Sequence, residues 1–265
     1  MIAAELDALA PIALAELTER APLLARVDRK YVLPLAEVPL LLAGLPGARV
    51  LEIDERREFG YRSVYFDTDE LESYLAAARR RRRRYKLRVR DYLDTGTGFF
   101  EVKTREQRGV TVKRRIPYDD DPDRLSPAAR LHAGSALSRA GIPDRERAFA
   151  PTLTTAYRRT TLFLPGSGSR LTIDTALTWH LPDGPQMSTL DRAIVETKTA
   201  RAACEADRLL WSLGHRPTAI SKYGTGLAAL RPDLPSHRWQ RVLRRHFPTT
   251  TDTTPAQEST TRRGH

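Results

Sequence analysis

The stretch "YKLRVRDY", residues 85 to 92, decides the fold because its charges alternate. In an extended chain Lys86, Arg88 and Arg90 fall on one side and Leu87 and Val89 on the other. That period of two predicts a strand with one apolar and one charged face. The pattern recurs in "GFFEVKTR" (98 to 105), where Glu101, Lys103 and Arg105 oppose Val102 and Thr104. In "GVTVKRRIPY" (109 to 118), Thr111, Lys113 and Arg115 oppose Val110, Val112 and Arg114, and in "RAIVETKT" (192 to 199) Glu196 and Lys198 oppose Val195 and Thr197. The linkers "LDTGTG" and "EQRG" are short and contain glycine, which suits hairpins and predicts an antiparallel meander.

A single strand of this kind could be half of an ordinary exposed sheet with its charges in water. Repetition argues otherwise, because the charged positions are mostly cationic and neighbouring strands lie about 4.8 Å apart, so the face repels itself unless an anion neutralises it. The expectation is an α+β chain: an antiparallel β-barrel with a basic lumen, its apolar faces turned outward against surrounding helices.

The rest of the chain fits one such unit. "RVDRKYVLP" alternates Arg26, Asp28 and Lys30, "YRSVYFDT" (61 to 68) is a further strand, and "PGSGS" joins two more. Helices are predicted near 2 to 25, in "LAEVPLLLAGL" with Pro39 in its first turn, and over 126 to 140, 201 to 214 and 223 to 247. Residues 1 to 247 therefore form a single domain. The Thr-rich, aperiodic stretch 248 to 265 is expected to be a disordered tail.

Composition narrows the partners. A net charge of +11 over 265 residues attracts polyanions. Aromatic content of 7% supplies no stacking stripe, so specific nucleic-acid binding is not expected. Acidic residues and prolines interrupt the N-terminal stretch, so neither a signal peptide nor membrane insertion is expected. Cys204 stands alone, which removes disulfide and zinc frameworks and suits a reducing cytoplasm. No His shows ligand spacing, and no protein partner can be named. Asp67 and Asp69 in "YFDTDE" read as caps of the following helix.

A basic lumen with isolated carboxylates matches phosphate chemistry. Arg complements phosphate oxygens in a planar fork and Lys as a point charge, while a glutamate can hold a divalent metal together with the substrate's phosphates.

Taken in order, "RVDRKYVLP", "YRSVYFDT", "KLRVRDY", "FFEVKT", "GVTVKRRI", "AYRRTTLFLPG", "RLTIDT", "AIVETKT" and "ISKYGTG" resemble the VTC domain, the polyphosphate polymerase module of the triphosphate tunnel metalloenzymes (the CYTH-like superfamily). The resemblance covers about residues 20 to 230. It implies a tunnel that takes ATP and inorganic polyphosphate as partners and moves the γ-phosphate onto the chain with Mn²⁺ or Mg²⁺. It also implies roles. Lys30, Arg88, Arg90, Lys103 and Arg159 look like catalytic phosphate ligands; Lys86, Lys113, Arg115, Arg170, Lys198 and Lys222 look like substrate-binding cations, Lys222 on a C-terminal strand. Glu196 resembles the metal ligand, with Glu101 as a second candidate.

Two departures bear on the activity. Hydrolytic members open with Glu-x-Glu-x-Lys, and here Arg26, Asp28 and Lys30 stand instead, which favours a longer polyanion over hydrolysis. A second lysine that eukaryotic polymerases carry three residues before the position of Lys222 is Ala219 here. The alternatives are a triphosphatase in the same tunnel and a non-catalytic polyphosphate-binding module. Arg79 to Arg84, six arginines in a row, read as a solvated connection before the strand.

Overall fold

The computed structural model describes residues 2–22, 27–106, 110–143, 147–200 and 202–247; Arg26 and the tail expected to be disordered, 248–265, lie outside the described residues. The opening motif forms the strand β5 (Arg84–Tyr92), which pairs antiparallel with β6 (Thr97–Arg105), and β6 with β7 (Thr111–Pro117). Register sets Lys86 opposite Lys103 and Lys103 opposite Lys113, and it sets Arg88 opposite Glu101 and Glu101 opposite Arg115. The charged residues of three strands thus share one face. Leu87, Val89, Phe100 and Val102 take the other face and are buried with Ala129, Ala133 and Leu137 of α5 (Pro127–Arg139). Ser126 caps that helix by accepting from the Ala129 amide, with Pro127 in the first turn where no donor is lost.

The sheet continues through β4 (Phe59–Asp67), β8 (Ala150–Leu164), β9 (Ser169–His180), β11 (Arg192–Thr199) and β2 (Val27–Pro34). Its order is β2-β11-β9-β8-β4-β5-β6-β7, and each of these neighbours is antiparallel. Three short strands, β1 (Ala10–Ile12), β3 (Arg49–Leu51) and β10 (Gln186–Thr189), attach to β3, β8 and β9.

The expected antiparallel α+β architecture is present, with its sheet open rather than closed. Among the described residues β2 and β7 do not pair, so the sheet stays open. The physical reason lies at the β2 edge, where the Lys30 carbonyl accepts from the Thr218 amide at 2.7 Å, and the same loop reaches β5 through Lys86 Nζ, which donates to Ser221 Oγ at 2.6 Å. The loop uses the edge that closure would need. The sheet nevertheless curls, since residues 218 to 221 touch both Lys30 on β2 and Lys86 on β5.

Helices α1 (Ile2–Asp7), α3 (Val38–Ala43) and α6 (Glu205–Ser212) cover the convex side of β2, β11, β9 and β8. Within α6, buried Asp207 accepts from Tyr31 and Thr197 hydroxyls at 2.7 Å each, which ties the helix to β2 and β11. Helix α2 (Leu14–Arg20) packs with β1 and β3 around Phe59 and Phe163.

The concave face is not charged along its whole length. One end of the concave face is apolar: Val32, Tyr65, Leu153, Tyr157, Trp179 and Ile194 pack there against Tyr223 and Leu227 of α7 (Lys222–Leu230). Helix α4 (Glu72–Ala78) and α8 (Gln240–His246) join the same cluster through Tyr74 and Val242. The close approach requires glycine, because a Cβ at Gly226 would overlap the Trp179 indole and one at Gly224 the Trp239 ring. The single helix expected over 223 to 247 is two helices, parted by the prolines of "RPDLPS". No described helix is long and apolar enough to cross a membrane.

Candidate anion site on the concave face

Beyond the α7 cluster the concave face is charged, and its carboxylates each gather cations from different elements. On β6, Glu101 Oε2 takes the Arg88 Nε at 2.6 Å, while its Oε1 meets Lys113 of β7 and lies 3.9 Å from Arg90 Nη1. Burial would raise the Glu101 acid, but Arg88, Arg90 and Lys113 outweigh it and hold the group well below the usual carboxylate range. On β11, Glu196 pairs with Lys30 across the strand pair and lies 3.4 Å from Lys198 on its own strand. Its ionised form is held in the same way, against burial, by Lys198 and Lys30.

The third carboxylate, Asp174 on β9, is one that the sequence reading missed. It accepts Arg159 Nε at 2.6 Å and Nη2 at 2.9 Å, and it also pairs with Lys222. A signal was present, since Arg170, Thr172 and Asp174 alternate with Leu171 and Ile173 and so share a face. Tyr157 was missed too. Its ring stacks on Tyr61 at 5.3 Å and lies under Lys222 Nζ at 4.2 Å. Burial works to raise the Tyr157 phenol, yet Arg90, Arg159 and Lys222 together lower it.

The lysines show the strain of the arrangement. Burial pushes Lys113 and Lys198 down to about 8, although Glu101 and Glu196 work against the shift. Lys86 falls well below its ordinary value through burial and the neighbouring Lys103, Arg88, Lys30 and Arg238, and Lys103 is lowered by burial and Lys30. Lys86 and Lys198 are partly withdrawn from water beside like charges, which disfavours the charged form. Lys103 and Lys113 are exposed and screened by solvent, which weakens the same effect on them. An incoming polyanion reverses that.

The structure brings together Lys30, Lys86, Arg88, Arg90, Lys103, Lys113, Arg159, Lys198 and Lys222 with Glu101 and Glu196. Two of the expected cations lie at its margin. Arg115 is exposed and covers the Phe99 ring at 4.5 Å, and Arg170 gives Nη2 to the Leu17 carbonyl of α2 at 3.0 Å. Lys222 is corrected from a strand to the first turn of α7, because Ser221 Oγ accepts from the Gly224 amide and starts a helix there. Asp67 accepts the Ser73 and Tyr74 amides at 2.9 Å each and the Tyr223 hydroxyl at 2.5 Å, fixing α4 against α7 at the apolar end.

The donor sets differ in their fit to a divalent ion. Among the described residues no three His, Cys, Asp or Glu side chains come together as a ready ligand group. Glu101, 2% exposed and shared by three cations, does not fit. Glu196 fits better: Asp28 stands opposite Lys198, one step along the same face, so two hard oxygen donors adjoin the cation field. Such a set suits an ion that takes its remaining ligands from phosphates.

Compared with protein families, the chain matches the VTC domain over residues 25–231. Comparison with curated proteins finds no match. Among solved structures it is similar to the PH1012 protein of Pyrococcus horikoshii OT3, at 14% identity and a TM-score of 0.38, covering 71% of this chain and 87% of that one. It is also similar to an adenylyl-cyclase-like protein of Hippeastrum described as having a dominant triphosphatase activity, at 17% identity and a TM-score of 0.42, covering 80% and 99%. A Vibrio parahaemolyticus protein described as an adenylate cyclase is similar at 12% identity and a TM-score of 0.37, covering 72% and 87%.

Proposed function

From the premise that this chain belongs to the VTC domain family, we propose that it is an ATP:polyphosphate phosphotransferase, adding the γ-phosphate of ATP to a polyphosphate chain on its concave face. The observation that carries the reading is the face itself. Lysines stand directly opposite lysines at Lys86, Lys103 and Lys113, where an ordinary sheet would alternate charge.

Arg88 and Arg159, held through Nε and Nη2 by Glu101 and Asp174, would give their remaining N–H groups and Arg90 its guanidinium to the oxygens of ATP's phosphates, and Lys30, Lys103, Lys113 and Lys198 supply point charges around them. Lys86, Arg115, Arg170 and Lys222 extend the field to the chain being lengthened. Glu196, with Asp28, would hold a divalent ion, Mn²⁺ or Mg²⁺, and Glu101 instead orients Arg88 and Lys113. The ion, when bound, neutralises charge on the β- and γ-phosphates.

A terminal oxygen of the chain attacks the γ-phosphorus as the bond to the β–γ bridging oxygen breaks, and its electron pair leaves with ADP. The chain grows by one phosphate. Its terminal phosphate is largely ionised at neutral pH, so no general base is required. Catalysis then rests on alignment and on fixed cations around the transferring group. Buried, unpaired Cys204 is compatible with a reducing cytoplasm.

The test is incubation of the purified protein with ATP and Mn²⁺ or Mg²⁺, following ADP and acid-insoluble polyphosphate. Both should accumulate together. Orthophosphate release without polymer would identify a triphosphatase, and no turnover with any divalent metal would leave a binding module; either result overturns the proposal.

A further inference from the structure

The cation row does not stop at the phosphate site. One strand position beyond the Lys86–Lys103 pair, on the same face, Arg84 stands directly opposite Arg105. Arg238, which precedes α8, bears on both members of this pair, and Arg80, which follows α4, bears on Arg238, so the arginines form one cluster at the rim. Arg84 Nη1 donates to the Arg81 carbonyl at 2.7 Å and Arg238 Nη1 to the Ala77 carbonyl at 2.6 Å, which fixes both without neutralising either.

The cluster contrasts in its counterions with six arginines placed elsewhere on the sheet and its flanks. Arg88, Arg159, Arg49, Arg57, Arg62 and Arg158 each have a carboxylate partner. Among the described residues, no carboxylate forms an ion pair with Arg80, Arg84, Arg105 or Arg238, and burial with these neighbours lowers the Arg84 guanidinium to about 10. Like charges directly opposite on a strand pair destabilise it. An external anion supplies what the protein withholds.

Resting on the polyphosphate reading above, we propose that Arg84, Arg105 and Arg238, flanked by Arg80, form a second anion subsite that grips the part of a polyphosphate chain extending beyond the phosphates held at Arg88 and Arg90. From Arg90 to Arg84 the strand runs roughly 20 Å at about 3.3 Å per residue, which is much longer than three linked phosphates. The rim favours a chain without bases. Tyr85 and Trp239 beside it are buried, so no aromatic face is offered for stacking.

The experiment measures binding of tripolyphosphate, long-chain polyphosphate and single-stranded DNA to the wild type, to the double variant Arg84→Gln/Arg238→Gln and to the single variant Arg105→Gln. Melting temperatures check folding, and the exposed Arg105 keeps the test usable if the double variant unfolds. Long-chain affinity should drop about tenfold in the double variant, the scale of one or more lost charge-assisted contacts, with tripolyphosphate within about twofold of wild type. Equal losses for both phosphates, no loss for the long chain, or an equal loss for DNA would overturn the subsite. Failure of the wild type to bind tripolyphosphate at all would instead strike the reading under Proposed function, and the long-chain comparison would still judge the rim.

Discussion

Asp174 grips Arg159 with two hydrogen bonds, 2.6 and 2.9 Å long, across the β8–β9 pair, and the same carboxylate anchors Lys222 at the start of α7. One acid therefore positions two cations that come from the sheet and from the helix filling it. At 1% exposure the group is buried, so removing its charge leaves Arg159 and Lys222 uncompensated. Asp174→Asn should destabilise the protein by about 3 kcal/mol, as breaking a buried pair does. Tripolyphosphate should recover much of that loss by supplying the missing negative charge. Thermal melts with and without the anion check this; a variant no more sensitive to the anion than wild type contradicts it.

Lys113 and Lys198, both lowered to about 8, give the site a pH dependence. A bound polyanion favours the protonated lysines and raises their values in the complex. Affinity is then fully present below about 8 and falls as pH rises above it, and binding near pH 8 to 9 takes up protons. Calorimetric titration of tripolyphosphate in two buffers of different ionisation enthalpy reads that uptake directly. Equal apparent enthalpies in the two buffers would show that these lysines do not face the anion.

Gly226→Ala places a methyl group in the Trp179 indole. Moving either side disturbs the α7 cluster, and overpacking of this kind costs about 1 to 3 kcal/mol. Urea unfolding should show a lower midpoint with an unchanged slope. A neutral substitution would mean that α7 stands off the sheet.

Arg88→Ala with Arg90→Ala should abolish tripolyphosphate binding, because both guanidinium groups that β5 gives to the concave face are lost. Arg81→Gln with Arg82→Gln should leave the equilibrium nearly intact and mainly change the association rate and its salt dependence. Stopped-flow binding at two ionic strengths separates the two. Equal effects from both pairs would point to a diffuse basic surface.

The arginine run illustrates how far the sequence could be read. Alternation in "KLRVR" carries one position further than expected, so Arg84 belongs to β5, while Arg83 bonds the Gly141 carbonyl after α5. Local period thus placed β5, β6, β7 and β11 and their charged faces. What it could not place depends on distant partners. Closure failed because Thr218 occupies the Lys30 carbonyl, a contact set by a loop 188 residues away in sequence. In "SKYGTG", two glycines argue against a helix by propensity, and two tryptophans that demand close approach override them. Asp174 shares a face with Arg170, but its role as counterion depends on Arg159 of β8 and Lys222 of α7, which local period cannot bring to it. For Glu101, too, alternation gives only a face, and the three cations around that carboxylate come from two other strands.

A structure of the protein with tripolyphosphate and Mn²⁺ tests the central claim most directly. The anion should lie on the concave face among Arg88, Arg90, Lys103 and Arg159, with the metal beside Glu196. An anion bound elsewhere, on the outer surface or among Arg79 to Arg83 with the concave face empty, would contradict the account.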